Sequence, residues 1–204
     1  LIMSGYFVGF LFGSRIAPDL LRRVGHVRVF AALGSLISAV MIMYPWLTDP
    51  YAWTAGRILV GFCFSGVYVT AESWLNDCTD NENRGQALAL YMIMQMTGIV
   101  SAQALLVLAD PGGFILFIIP SVLISLSFTP ILLSVSPVPS HETAKPLTLL
   151  EIWRASPLGC VGMFLLGGVF SAQFGMASVY GTQAGRSVAE ISIFVASFFV
   201  GALV

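Results

Sequence analysis

Residues 52–95 read AWTAGRILVGFCFSGVYVTAESWLNDCTDNENRGQALALYMIMQ. The stretch contains a long apolar segment with an arginine near its start and a glutamate near its end. Because helical residues advance by about 100° each, side chains that recur every three or four positions share one face. Such a recurrence joins Arg57, Gly61, Ser65, Tyr68 and Glu72. A polar stripe on an otherwise apolar helix is typical of a bundle interior or a water-filled cavity.

The composition of the whole chain places it in a membrane. Of its 204 residues, 57% are hydrophobic and only 9% are charged, whereas soluble domains contain about 25% charged residues. Spans of roughly 20 residues with short loops allow about seven crossings in this length. We therefore predict an all-α integral membrane protein, a polytopic transmembrane helix bundle in contact with the lipid bilayer. The net charge of −1, without a basic stripe, argues against a nucleic-acid partner.

Turn residues divide the chain into apolar runs and one proline-rich stretch. The runs predict spans over residues 1–17, 29–47, 52–75, 86–108, 114–135, 158–180 and 188–204. The proline-rich stretch, 136–156, is predicted to be a linker, and Thr148 to Glu151 match a capping box before a short interfacial helix over 149–155.

The first span carries two further signals. Gly5, Gly9 and Gly13 recur every four residues and predict close packing against another helix. Pro18 is expected to stop or kink the span, because proline removes a helical hydrogen bond.

Basic residues are distributed unequally between the two sides of the predicted bundle. The loops on one side contain seven Lys or Arg residues, and the opposite loops contain only Arg186. Cytoplasmic loops carry the excess of Lys and Arg. This bias places the linker and the clusters around Arg22–Arg28 and Arg84 in the cytoplasm.

Several classes of protein are disfavoured by what the sequence contains. Its three cysteines show no metal-binding or disulfide spacing, and its two histidines lie in predicted loops. No phosphate-binding glycine motif is present. We therefore expect no metal, no cofactor and no enzymatic activity. The chain also begins and ends within apolar runs, so we expect it to be part of a longer membrane protein.

Four stretches resemble one family of membrane proteins. They are SGYFVGFLFGS followed by RRVGHVR, then GRILVGFCFSG, VTAESWLND and NENRGQALALYM. The chain resembles a major facilitator superfamily transporter, in the YcaD-like branch of bacterial permeases. The resemblance implies helices two to eight of a twelve-helix chain, with the remainder of that chain as a partner. Residues 1–135 would then be part of an N-terminal six-helix bundle, 136–156 the cytoplasmic link, and 157–204 the start of a C-terminal bundle.

The cytoplasmic loop after the first span departs from the family's pattern. Aligning Arg23-Val24-Gly25 places Arg22 at the family's aspartate position and His26 at a basic position, while Asp19 lies three residues early. The resemblance implies an inner gate, whose candidates here are Asp19, Arg22, Arg23, Gly25, Arg28 and Arg84. We expect Arg84 to pair with loop carboxylates.

The striped helix supplies the candidates for the pathway of a substrate or coupling ion: Arg57, Gly61, Ser65, Tyr68 and Glu72, with Gln95 on the next span. Each has a simpler interpretation. Arg57 lies four residues from Trp53, so its side chain could reach the outer membrane interface instead of a cavity. Glu72 could be a hydrated residue at a helix end, and Gln95 could form a hydrogen bond between helices.

These patterns favour one function over two alternatives. The resemblance implies a secondary active transporter that moves a small molecule by alternating access, coupled to protons, in a bacterial inner (plasma) membrane that the chain crosses several times. A passive channel or facilitator is one alternative, although no ring-forming acidic repeat favours it. An intramembrane structural or interaction protein without transport activity is the other.

Overall fold

The computed structural model describes residues 2–110, 112–133 and 148–201. These residues form eight helices, a 3₁₀ turn at Tyr44–Trp46 and no strand, which confirms the all-α prediction. The helices are α1 (Ile2–Val24), α2 (His26–Met43), α3 (Pro50–Cys78), α4 (Arg84–Leu105), α5 (Ile115–Leu133), α6 (Leu149–Ala155), α7 (Pro157–Gln183) and α8 (Val188–Gly201).

Five helical segments of this described part are long and apolar enough to cross a membrane. They are His26–Trp46, Pro50–Cys78, Arg84–Leu105, Ile115–Leu133 and Pro157–Gln183. The apolar helix α8 is shorter, with 14 residues. The chain is therefore built as a multi-pass membrane protein.

Glycines bring α1 and α3 into close contact. Gly5, Gly9 and Gly13 are buried on one face of α1. A Cβ atom added to Gly9 would collide with the carbonyl oxygen of Ile58, and one added to Gly61 would collide with that of Tyr6. We call the contact of Gly5, Gly9, Gly13 and Gly61 the glycine seam. It confirms the packing predicted for the glycine face of the first span.

Helix α1 does not end at its proline. It continues through Pro18 to Val24, seven residues beyond the predicted end of the span at residue 17. A proline removes one helical hydrogen bond, and packed membrane helices tolerate that loss. The helix ends instead at Gly25, whose φ of 86° lies in the left-handed region that favours glycine. A single residue thus separates α1 from α2.

Local signals define the start of α3. The Asp49 side chain accepts a hydrogen bond of 2.9 Å from the amide of Ala52, and Pro50 occupies the first helical position. The helix extends for 29 residues to Cys78, beyond both predicted ends at 52 and 75. Arg57 and Glu72 therefore lie on one continuous helix.

Serines connect α2 to α5 inside the apolar part of the bundle. The Oγ atom of Ser38 lies 2.7 Å from that of Ser121 and 2.9 Å from that of Ser125. Ser38 is buried on α2, and Gly34, one turn earlier, leaves room for the ring of Phe128. Polar side chains that bond across helices hold membrane bundles together.

Helix α6 lies within the predicted linker, and α7 and α8 follow it. The capping box is confirmed, because the Thr148 amide donates to Glu151 Oε2 at 2.7 Å and the Glu151 amide donates to Thr148 Oγ1 at 3.3 Å. Ser156 caps α7 by accepting from the amide of Gly159. The rest of the predicted linker, up to residue 147, lies outside the described residues.

The chain divides into two compact units. One unit comprises residues 1–95 and 109–140 and contains α1, α2, α3, α5 and the first part of α4. The other comprises 96–108 and 141–204 and contains the rest of α4 with α6, α7 and α8. The predicted pathway and gate residues all belong to the first unit.

Candidate functional site

The predicted stripe of α3 divides into two sets of residues. Gly61 and Ser65 are buried, and both lie against α1 in or beside the glycine seam. The prediction that they line a pathway is therefore corrected, because close contact of two helix backbones leaves no space there. Arg57 and Tyr68 are half-buried and Glu72 is exposed. These three residues remain as the polar face of α3.

Arg57 lies at one end of this face, beside an aromatic ring. Its guanidinium carbon is 5.7 Å from the centroid of the Tyr44 ring, within the range of a cation–π interaction. Its Nε atom is buried and has no hydrogen-bond partner among the described residues. A buried Nε on a half-buried side chain fits both interpretations of Arg57, a cavity residue and one whose terminal nitrogens extend to the membrane interface.

Four aromatic rings follow Arg57 along α1 and α3. Tyr6 lies 6.1 Å from Phe10 and 6.5 Å from Phe64, measured between ring centroids. Tyr68 lies 6.2 Å from Phe10 and 6.1 Å from Phe64. We call these four residues the aromatic strip. Its rings are all half-buried, so they present polarizable surface beside the polar face of α3.

Glu72 lies at the far end of the face, fifteen residues after Arg57, which corresponds to about 22 Å along the helix axis. It acts electrostatically on the hydroxyl of Tyr91 on α4, as Tyr68 does. The Tyr91 Oη atom is buried and has no hydrogen-bond partner within the described part of the chain. Tyr6 is likewise within electrostatic reach of both Arg57 and Tyr68. Tyr6 on α1 thus lies within electrostatic reach of Arg57, Tyr91 on α4 within that of Glu72, and both within that of Tyr68 on α3.

Gln95 shows no hydrogen bond that would connect it to the polar face of α3 in the described part of the chain. It lies on α4 four residues after Tyr91, so the two share a helix face. Its half-buried side chain makes no hydrogen bond to another described residue, so the predicted interhelical bond is not formed. Gln95 stays a pathway candidate by its position alone.

The predicted inner gate is only partly assembled. Asp19 and Arg22 form an ion pair on α1, and both side chains are about half exposed to solvent. Arg23 and Arg28 are exposed. Arg84 makes no ion pair in residues 2–110, 112–133 and 148–201, so its predicted pairing with loop carboxylates is wrong; its amide instead donates to the Asp80 carbonyl at 2.9 Å.

The sequence analysis placed His26 at a basic position of the loop but did not count it among the inner-gate candidates. His26 is 1% exposed, and its Nε2 atom lies 3.2 Å from Ser73 Oγ and 3.8 Å from Asp77 Oδ2. Its ring also faces Trp74, at 6.1 Å between centroids. The start of α2 is therefore attached to the end of α3. The sequence did contain a signal for His26. This residue directly follows Gly25, so it is the first residue of the helix that packs on α3.

A separate cavity lies in the second unit, where α7 and α8 meet. Its volume is about 320 Å³, and its lining includes Tyr180, Arg186, Glu190 and Phe194. Arg186 and Glu190 form an ion pair of 3.2 Å on its wall. None of the predicted site residues lines it. No group of His, Cys, Asp and Glu side chains that could hold a metal occurs in the described ranges.

Known proteins resemble this chain along nearly its whole length. An MFS-type transporter of Yersinia pestis is 27% identical over 198 residues, which are 94% of this chain and 50% of the relative. The MFS-type transporter YfkF of Bacillus subtilis is 23% identical over 98% of this chain and 53% of its own length. YcaD of Salmonella arizonae is 24% identical over 96% of this chain and 52% of its own length.

The chain thus spans about half the length of the curated relatives that it matches. No solved structure matches it significantly. The family model of the Major Facilitator Superfamily matches residues 1–204, and helices apolar enough to cross a membrane agree with it. The chain therefore belongs to the Major Facilitator Superfamily.

Proposed function

We propose that the intact protein is a secondary active transporter that moves a small molecule across a bacterial inner membrane by alternating access. The polar face of α3 carries this proposal. Arg57, Tyr68 and Glu72 lie on one helix that is apolar enough to cross a membrane. Ionisable side chains in such helices are rare and usually belong to the path of a substrate or an ion.

Proton coupling is the finer part of the proposal. Glu72 is the one carboxylate on the polar face of α3, and Tyr91 and Tyr68 lie near it. Arg57 is too far away to neutralise Glu72, at about 22 Å along the axis. The two charges therefore suit separate tasks, with Arg57 binding the substrate and Glu72 binding the proton.

The transport proposal is tested on the intact protein in two steps. A screen of metabolites and drugs for a raised unfolding temperature identifies a ligand, because binding to the folded state stabilises it. Counterflow of that ligand is then measured in liposomes. A carrier accumulates labelled ligand against unlabelled ligand inside, whereas a channel only lets the label equilibrate. Leakage without accumulation would contradict a carrier.

A further inference from the structure

Arg57 carries a charge that no nearby carboxylate balances. The segments of α2, α4 and α5 contain no Asp or Glu. Asp49, eight residues before Arg57 and about 12 Å away along the axis, caps α3 through the Ala52 amide. Glu72 lies at the other end of the helix. Arg57 forms no ion pair with any residue that the structure describes.

A second polar group beside Arg57 also lacks a partner. Tyr44 is 1% exposed, and its Oη atom makes no hydrogen bond within residues 2–110, 112–133 and 148–201. Buried hydroxyls are almost always hydrogen-bonded, since an unpaired one loses its interaction with water without compensation. Because the Arg57 guanidinium carbon lies 5.7 Å from the centroid of the Tyr44 ring, one acceptor group between the two side chains would satisfy both unpaired atoms.

The two groups are adjacent in space. A Cβ atom added to Gly56, the residue before Arg57, would lie 3.1 Å from Tyr44 Oη. The hydroxyl end of Tyr44 thus lies against the backbone that leads into Arg57. The Trp53 ring lies 4.8 Å from the Tyr44 ring, and the Phe117 ring lies 6.1 Å from both, measured between ring centroids. We call this arrangement the Arg57–Tyr44 niche.

The chemistry of the niche selects its ligand. It offers N–H and O–H donors and one positive charge, and its other walls are apolar rings. Cations and neutral groups without acceptors do not satisfy it. A guanidinium binds carboxylate and phosphate oxygens in pairs, and such charge-assisted bonds are strong where water is excluded.

We propose that Arg57 and Tyr44 bind one oxyanion group, a carboxylate or a phosphate, of the transported substrate. The proposal rests on the proposed function, because a substrate has to reach the niche from water. Tyr44 then acts as a specificity-determining residue, since its hydroxyl adds a second donor that neutral analogues of the substrate would leave unpaired.

Iodide is a suitable probe, because it is an anion that quenches tryptophan fluorescence and Trp53 is part of the niche. We would titrate it at constant ionic strength into the intact protein with every tryptophan except Trp53 replaced by phenylalanine. Saturable quenching is expected, and acetate or phosphate should displace iodide whereas acetamide should not. Displacement by phosphate but not acetate would assign the site to phosphate groups, and the reverse to carboxylates.

Matched variants identify the residues responsible. Arg57→Gln should abolish the saturable component, and Tyr44→Phe should weaken iodide binding by roughly tenfold while keeping the ring. Arg57→Lys, which keeps the charge but loses the planar fork, should also weaken it. Arg186→Gln is the control, because Arg186 is exposed and already paired with Glu190.

Two outcomes would overturn the proposal. Linear quenching that is equal in the parent protein and in Arg57→Gln would mean that the niche takes no anion. Unchanged binding in both Tyr44→Phe and Arg57→Lys would mean that iodide binds elsewhere. Counterflow, measured on the same preparations, separates the two claims: counterflow without the iodide site refutes only this inference, and the site without counterflow refutes only transport.

Discussion

Gly9 shows how one residue determines a helix contact. The carbonyl oxygen of Ile58 occupies the space that a Gly9 side chain would need. We predict that Gly9→Leu lowers the stability of the purified protein by about 1–3 kcal/mol, the usual effect of overpacking. Its unfolding temperature and its yield from the membrane measure this loss.

Gly162→Leu is the matched control for this prediction. Gly162 lies on α7, where no described atom comes within 4 Å of an added Cβ. The Gly162→Leu variant should unfold at nearly the same temperature as the parent protein. If the Gly9→Leu variant also unfolds at the temperature of the parent protein, the glycine seam is not a tight contact.

Glu72 is the residue on which coupling depends. We predict that Glu72→Gln abolishes proton-driven accumulation of substrate but leaves exchange across the membrane intact, because the amide resembles a permanently protonated acid. Uptake under a pH gradient and exchange in its absence are the two measurements. Glu82→Gln, in the exposed loop after α3, should change neither. Normal accumulation by Glu72→Gln would make Glu72 a hydrated helix end.

Some residues of the candidate site could be identified from the sequence, and others could not. Arg57 and Glu72 were visible, because charges are rare in apolar helices. Tyr44 was not, because it lies in a 3₁₀ turn and its partner is remote in sequence. Gly61 was misassigned because a small residue on a stripe fits both a cavity and a close contact. The glycines of α1 were the signal for the contact, and Gly61 meets the backbone of Tyr6 on the same helix.

Ser38, Ser121 and Ser125 form a serine cluster that joins α2 to α5. Its contribution to the stability of the protein can be measured. We predict that Ser38→Ala destabilises the protein by about 0.6 kcal/mol, the average for a hydrogen bond between membrane helices. Ser35→Ala is the control, since Ser35 is exposed and bonds only to Ala31 of its own helix. Reversible unfolding in denaturing detergent compares the two. Equal stabilities would mean that the cluster does not hold α2 to α5.

The cap of α6 depends on pH. Hydrogen bonds from the amide and hydroxyl of Thr148 hold the pKa of Glu151 below its ordinary value of 4.5. A lowered pKa means that the cap is complete above pH 4.5 and is lost as the pH falls through the lower value. We predict that the NMR signal of the Thr148 amide titrates with a midpoint below 4.5.

Glu151→Gln is the control for this titration, since it removes the ionisable group and should give a flat response. A midpoint at or above 4.5 in the parent protein would show that the cap does not stabilise the carboxylate.

Elements were predicted better than their ends. The alternation of apolar runs and turn residues predicted the helices, since lipid requires long apolar segments. Helix α1 extends beyond the predicted end of the first span, since helix packing compensates for the hydrogen bond that Pro18 removes. The start of α6 was right because a capping box is a local interaction that needs no partner element.

For the whole molecule, the charge bias predicts which loops face the cytoplasm. Asn81 lies in the loop between α3 and α4, and Ala184 follows α7. We predict that Ala184→Cys, but not Asn81→Cys, reacts with an impermeant maleimide in intact cells after Cys63, Cys78 and Cys160 are replaced. Permeabilised cells, in which both cysteines should react, are the control. The opposite labelling would reverse the orientation.

The family could be predicted from the sequence, whereas the assembly of the site could not. Motifs such as GRILVGFCFSG are contiguous in the sequence, so they indicate the family without a structure. The contact of Tyr44 with Arg57 and that of His26 with Asp77 each join separate elements of the fold. A single sequence carries little information on such contacts, because they depend on how each helix is rotated about its own axis.

The glycine seam has a thermodynamic consequence. Burying glycine freezes no side-chain rotamer, and lipid tails give helix pairing no hydrophobic driving force. The contact of α1 with α3 therefore gains van der Waals attraction between backbones at no cost in rotamer entropy. We expect two helices joined in this way to move together. In the transport cycle proposed above, rocking would then be taken up at other surfaces of α3, including the one that bears Arg57 and Glu72.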